Sequence, residues 1–228
     1  MNIGEQWQAA YEKAEFYRSE NNTKEYWDKV SKADGGGLTG VEHILIIRKY
    51  LSENGFIGKD STVLDIGCGG GDYVELFAEI CRHVTALDYS QRMIEACRSR
   101  CESRIIENVS FLPCDFTEYI FSDRFDCILS CLNPSTYNPR SMDKMLSMTD
   151  GCVVYFSMDT PIENAETEPI YRGCNSVRYA EEYLKERGYS YAKIPYLYEL
   201  QTDEGLKREI PFAYIIVRQM DRSWSGRG

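Results

Sequence analysis

The chain reads as an α/β protein built on a mostly parallel sheet with crossover helices and an antiparallel hairpin at its C-terminal end. Three observations carry that reading. The apolar run Thr62-Val63-Leu64-Asp65-Ile66 passes into Gly67-Cys68-Gly69-Gly70-Gly71-Asp72 and then a helical pattern from Tyr73, which spells a buried strand, a sharp turn and a helix N-terminus. Strand and helix periodicities alternate from there to Gly188, the signature of parallel strands joined by crossover helices. Residues 189–199 and 208–218 are both strand-like and are joined by Thr202-Asp203-Glu204-Gly205, a connection suited to an antiparallel pair.

The elements follow in order. Residues 1–30 are helical and aromatic, with Trp7, Tyr11, Phe16, Tyr17, Tyr26 and Trp27. Asn21-Asn22-Thr23 divides them into two helices, with Thr23 as N-cap of the second. Asp34-Gly35-Gly36-Gly37 is a flexible connection. Residues 41–51 return to helical spacing, with Ile44, Ile47 and Leu51 on one face and a stop at Asn54-Gly55. After the glycine turn come a helix over 73–80, a strand over 83–87, a helix over 91–100 capped by Ser90, and a strand over 109–113. A strand over 126–131, a helix over 141–148 and a strand over 152–157 continue the alternation. A last helix starts at Asn175 or Ser176 and stops at Gly188.

Composition bounds the function. At 228 residues the chain is long enough for one α/β domain with an ample core. A formal charge of -10 repels phosphate backbones, so nucleic acid is a disfavoured partner. Nine cysteines, an odd number without a signal peptide, point to reduced thiols in a cytoplasm. Cys97 and Cys101 stand one helical turn apart, but no further pair or His-x-x-His completes a metal site. No apolar run is long enough to span a bilayer. Oligomeric state is not legible.

The glycine turn decides the ligand class. Gly67 and Gly69 fit the first two positions of a G-x-G-x-x-G dinucleotide fingerprint, but the third falls on Asp72, and no P-loop lysine follows. The stretch resembles the D-x-G-x-G-x-G motif of the class I S-adenosylmethionine-dependent methyltransferases, with Asp65, Gly67, Gly69 and Gly71 in register. The resemblance covers roughly residues 41–218. It implies a Rossmann-like seven-stranded sheet in the order 3-2-1-4-5-7-6 with the seventh strand antiparallel, helices on both faces and S-adenosylmethionine as cofactor. It also implies that the turn, Gly67, Cys68, Gly69 and Gly71, together with Asp65, holds the amino-acid end of that cofactor. On this reading residues 1–40 form a helical cap, 41–221 the methyltransferase domain and 222–228 a mobile tail.

Ligands of open α/β sheets sit beyond the carboxyl ends of the strands, and the strand tips here are polar. Asp88 lies about 20 residues beyond the turn, where a ribose-binding carboxylate belongs. By resemblance Asp88 takes the ribose hydroxyls, Tyr89 and Met93 flank the adenine, Asp115 accepts from its amino group and Phe116 lies beside the ring. Past the fourth strand, Asn133-Pro134-Ser135-Thr136-Tyr137 begins like the Asp/Asn-Pro-Pro-Tyr/Phe of amino-adenine methyltransferases, but lacks the second proline. The segment is closer to small bacterial and archaeal methyltransferases of unsettled substrate.

The implied reaction is in-line transfer of a methyl group to a small-molecule acceptor, which needs alignment and exclusion of water. A nitrogen or oxygen acceptor also needs a base. Of the two histidines, His83 precedes its strand at the wrong end of the sheet, while His43 lies on the helix beneath the glycine loop. Asn133 and Tyr137 are the better-placed candidates to orient an acceptor. Tyr26 and Trp27 are candidates to line the cofactor cleft, Arg172 and Arg178 to meet a substrate carboxylate, and residues 158–174 to form a lid with the N-terminal helices. The competing readings are a cofactor-binding module without turnover, a thiol or metalloid methyltransferase using Cys97 and Cys101, and a nucleic-acid methyltransferase.

Overall fold

The computed structural model describes residues 1–14, 23–30, 38, 40–162, 174–201 and 207–218. The expected connections at 34–37 and 202–205, the tail at 222–228, Arg172 and most of the 158–174 segment lie outside the described residues. Seven strands form one sheet: β1 (Thr62–Ile66), β2 (His83–Asp88), β3 (Val109–Pro113), β4 (Phe125–Cys131), β5 (Thr149–Met158), β6 (Tyr191–Gln201) and β7 (Lys207–Arg218). Their order is β3-β2-β1-β4-β5-β7-β6, with β7 antiparallel to both neighbours and the other pairings parallel. This is the expected topology. The crossover from β3 through β1 to β4 places the switch in strand order at β1, beneath the glycine turn.

Helices cover both faces because the inner strands are apolar on both sides. On one face α1 (Ile3–Lys13), α6 (Pro139–Ser147) and α7 (Val177–Glu186) pack over Leu64, Ile66, Val153, Tyr155 and Ile215. On the other, α3 (Glu42–Glu53), α4 (Asp72–Ala78) and α5 (Gln91–Ser103) pack over Val63, Ala86, Leu129, Phe156 and Tyr214. The short α2 (Lys24–Val30) leans on α5. The expected caps are present: Thr23 Oγ1 accepts from the Tyr26 amide, Ser90 from Met93 and Ser176 from Arg178. Most boundaries fall within three residues of expectation, and two of the differences have a visible local cause. Helix α6 starts two residues early because Asn138 caps it, its side chain accepting from the Ser141 amide at 2.9 Å. Strand β5 runs on both sides of the expected 152–157, its pairing with β4 shifting register between Phe125 and Cys127.

Helix α1 belongs to the core. Trp7 is fully buried, its indole N–H donates to the Cys174 carbonyl at 2.9 Å, and its ring stacks on Tyr179 with edges toward Tyr155 and Tyr183. Replacing Trp7 with alanine is expected to cost about 3–5 kcal/mol, the range for truncating a large buried aromatic. Urea unfolding measures it; a loss below about 1 kcal/mol would show that α1 is only laid on the surface.

All nine cysteines are free thiols. Cys97 and Cys101 lie on the buried side of α5, 0% and 1% exposed, and among the described residues no His/Cys/Asp/Glu group is arranged to hold a metal ion. No described helix is long and apolar enough to cross a membrane.

Candidate active site

The turn after β1 is built by backbone. Gly67, Gly69 and Gly71 all have left-handed φ, at 73°, 52° and 91°. The amides of Gly67 and Cys68 both donate to the Leu87 carbonyl, at 2.7 and 2.9 Å, and the Gly69 amide donates to Asp88 Oδ2 at 3.0 Å. The turn is thereby pinned to the tip of β2. Two of its glycines also have no room for a side chain. A Cβ on Gly67 would stand 2.7 Å from Asn133 Nδ2, and one on Gly71 would stand 2.6 Å from Cys97 Sγ. The acid that spoils the dinucleotide pattern has its own partner: Asp72 pairs with Arg100 on α5 at 2.5 Å.

Two carboxylates, Asp65 and Asp88, meet at this turn, and Asp115 follows the tip of the neighbouring β3. Asp65 is 2% exposed, and its Oδ2 is buried without a hydrogen-bond partner. Burial, then the charges of Asp88 and Asp72, push its pKa up to about 8. Asp88 takes the Ser90 amide on Oδ1 at 2.9 Å and the Gly69 amide on Oδ2. Burial raises its pKa to about 6 against the pull of those two donors. Asp115 is exposed, with Oδ1 accepting from the Thr117 amide and hydroxyl at 2.7 Å. The field of Asp88 reaches Asp65, and those of Asp88 and Asp115 both reach the half-buried Tyr89, whose hydroxyl is held protonated by burial first and these acids second. The three acids thus stand at the carboxyl ends of three adjacent strands.

The other expected site residues separate into two groups. Met93 is buried at the start of α5, its amide donating to Ser90 Oγ. Tyr26 is half-buried on α2, edge-on to Trp27. Helix α2 is held beside the Asp88 tip by Asp28, whose carboxylate accepts from Ser90 Oγ at 2.5 Å. Phe116, expected beside the adenine, is instead 2% exposed in the core against Phe121, with the Lys144 ammonium 4.6 Å from its ring centre. Asn133, expected to orient an acceptor, has its amide committed. Nδ2 donates to the Ile66 carbonyl at 2.9 Å, and Oδ1 accepts from the Ser135 amide and hydroxyl. Tyr137 is 4% exposed, with its ring edge-on to Tyr155. Arg178 is tied to Asp159 at 2.6 Å.

His43 is buried in the first turn of α3. Its ring stacks on Phe156 and touches Tyr73 and Tyr196, and Nδ1 has no hydrogen-bond partner. His83, by contrast, bonds Ser110 Oγ at 2.9 Å. Sequence reasoning misses Asp28, which bonds Ser90 beside the Asp88 tip, and Tyr73 and Tyr196, which pack against His43. It also misses Leu132, a non-glycine residue at φ 52° whose amide donates to the Phe156 carbonyl. That strained turn sets Asn133 under Gly67.

Known proteins similar to this chain agree with the fold. Residues 63–150 match the family described as "Methyltransferase domain". The 23S rRNA (uracil(1939)-C(5))-methyltransferase RlmD of Marinomonas posidonica is 26% identical over 133 residues, 58% of this chain and 27% of that protein. A malonyl-[acyl-carrier protein] O-methyltransferase of a Paenibacillus species is 36% identical over 91 residues, 37% of this chain and 33% of that protein. In both cases the match spans a third or less of the relative's length. The crystal structure of YcgJ from Bacillus subtilis superposes with a TM-score of 0.63 at 15% identity, covering 78% of this chain and 99% of that one; this likeness speaks to the fold alone.

Proposed function

We propose, from its methyltransferase domain and class I fold, that this chain binds S-adenosylmethionine and transfers the methyl group to a small-molecule acceptor in a cytoplasm. The observation that carries the reading is the orphaned Oδ2 of Asp65, a buried acceptor at the foot of a glycine turn and within the field of Asp88. A buried acceptor without a partner costs about 1–3 kcal/mol, and an ammonium group beside it removes that cost. S-adenosylmethionine brings such an ammonium, and its sulfonium supplies an already activated methyl group. Asp65 and the turn would hold the amino-acid end, Asp88 the ribose, and Asp115 with Tyr89 the base. Asn133 acts as a positioning residue, bracing Gly67 from below. The protein's part is then to align the acceptor and keep water out.

The net charge of -10 supports a small acceptor over RNA, although several similar proteins are named for RNA. Titration calorimetry with S-adenosylhomocysteine is the test. Binding is expected, and Asp88→Ala should weaken it about 10- to 100-fold, the worth of a charge-assisted hydrogen bond. A metabolite panel scored by S-adenosylhomocysteine release then identifies the acceptor. No heat at high micromolar concentration overturns the reading. Binding without single-turnover methyl release would make the chain a cofactor-binding module, and methylation of RNA retained at low salt would replace the acceptor class.

A further inference from the structure

The carboxyl end of the sheet has a second unsatisfied buried group on the face covered by α3 and α4. His43 is only 4% exposed, yet its Nδ1 has no hydrogen-bond partner. Its ring lies against Phe156 with centres 5.6 Å apart, edge-on to Tyr73 at 5.8 Å and tilted against Tyr196 at 5.6 Å. The His43 backbone is fixed by a hydroxyl chain. Tyr214 Oη donates to the His43 carbonyl at 3.1 Å and shares a hydrogen bond with Tyr73 Oη at 2.7 Å. Tyr73 is in the first turn of α4, directly after the cofactor turn, so this chain sets the imidazole's distance from the glycines.

Half-buried apolar side chains mark where this face meets solvent: Cys131 and Leu132 after β4, Met158 at the end of β5 and Tyr196 on β6. In the sheet register Phe156 pairs with Tyr214, Met158 with Phe212 and Phe212 with Tyr196, so these groups occupy one end of one face. The surroundings of His43 are aromatic and acidic. Glu42 and Asp72 are the charged groups acting on it, and the hydroxyls of Tyr73, Tyr196 and Tyr214 complete the set of titratable neighbours. Burial lowers its pKa, the two carboxylates opposing. A base in such a place rests neutral and is stabilised by those acids once it takes a proton.

We infer that His43 is the proton acceptor of the methyl transfer, and that the acceptor is an uncharged, flat aromatic or heteroaromatic molecule carrying an O–H or N–H, seated against Tyr73 and Tyr196. The inference rests on the methyltransferase reading. In the step, a lone pair on the acceptor's oxygen or nitrogen forms the new bond to the methyl carbon. The carbon–sulfur bond breaks with its electron pair remaining on sulfur, leaving a neutral thioether. The acceptor's proton passes to a ring nitrogen of His43, giving an imidazolium. An anionic acceptor is disfavoured by the same carboxylates, Asp72 and Glu42, that favour the imidazolium.

The chain has only two histidines, so ring resonances can be assigned by a single substitution. The experiment follows the C2–H signals of His43 and His83 in protein saturated with S-adenosylhomocysteine, adding phenol, indole or benzoate. Phenol or indole should move the His43 signal and leave His83 in place, and benzoate should move neither. His43→Gln should retain S-adenosylhomocysteine affinity within about twofold and lower single-turnover methyl transfer to the identified acceptor about a hundredfold. It should also remove the acidic limb of the rate–pH profile, while His83→Gln changes neither. If S-adenosylhomocysteine binds but neither uncharged probe moves His43, the inference falls and the methyltransferase reading stands. If S-adenosylhomocysteine does not bind, both fall. The probe titration uses the parent protein, so it decides the matter even if His43→Gln fails to fold.

Discussion

Asp65→Asn is expected to raise the melting temperature of the ligand-free protein above neutral pH while abolishing its affinity for S-adenosylhomocysteine. Asp65 has a folded pKa of about 8 against 3.8 for the free group. Between those values the native state retains a proton that the unfolded chain has released, so stability falls as pH rises through the window. Every tenfold difference in proton affinity between the folded and unfolded chain is worth about 1.4 kcal/mol, which bounds the loss at roughly 6 kcal/mol once pH exceeds 8. Asparagine keeps the shape and removes the charge, so that loss disappears. The parent's melting temperature should fall from pH 6 to pH 8.5, and that of the variant should fall less. Bound cofactor product should flatten the parent's curve too, because its ammonium stabilises the ionised carboxylate. Below pH 8 binding must therefore expel the Asp65 proton, and calorimetry in buffers of different ionisation enthalpy reads that proton directly. A parent curve that is flat with pH, or a variant that binds as the parent does, would show that the Asp65 carboxyl does not face the cofactor.

The same residue shows why part of the site is legible in the sequence. Asp65, the glycines and Asp88 lie on one continuous βαβ stretch, where strand alternation and turn chemistry fix positions locally. The sheet order follows from that stretch and the terminal hairpin once the family resemblance is drawn. Phe116 is misplaced by sequence because an aromatic beside a strand-tip acid reads alike whether it faces a ligand or the core; its burial depends on Lys144 and Phe121, which close over it from elsewhere. Asn133 reads as an acceptor-facing residue because its hold on the Ile66 carbonyl links residues 67 positions apart. The aromatic cluster about His43 is invisible for the same reason. Its members come from α3, α4, β5, β6 and β7, and only the closed sheet brings them together. The strand expected to start at Cys152 begins at Thr149 instead, because Phe125 of β4 pairs with Thr149 across a register shift.

Gly67→Ala should damage both the fold and cofactor binding with a single methyl group. The alanine Cβ would lie 2.7 and 2.8 Å from the amide nitrogen and carbon of Asn133, and the residue would have to keep φ at 73°. The left-handed conformation alone costs an L-residue about 1–2 kcal/mol. Asn133 cannot swing away cheaply, since its amide is bonded to Ile66 and Ser135 and its backbone follows the strained Leu132. The turn must therefore shift, breaking its bonds to the Leu87 carbonyl and to Asp88 Oδ2. Those bonds place the cofactor-facing backbone, so the variant should lose stability by about 2–4 kcal/mol and S-adenosylhomocysteine affinity by at least a hundredfold. The two causes can be separated. Adding Asn133→Ala removes the clash but not the backbone strain, and should restore part of the stability, leaving the left-handed cost behind. Urea midpoints of the two single variants and the double variant measure the coupling. Strict additivity would mean that Asn133 does not brace Gly67, and that the close approach beneath the turn plays no part in holding it.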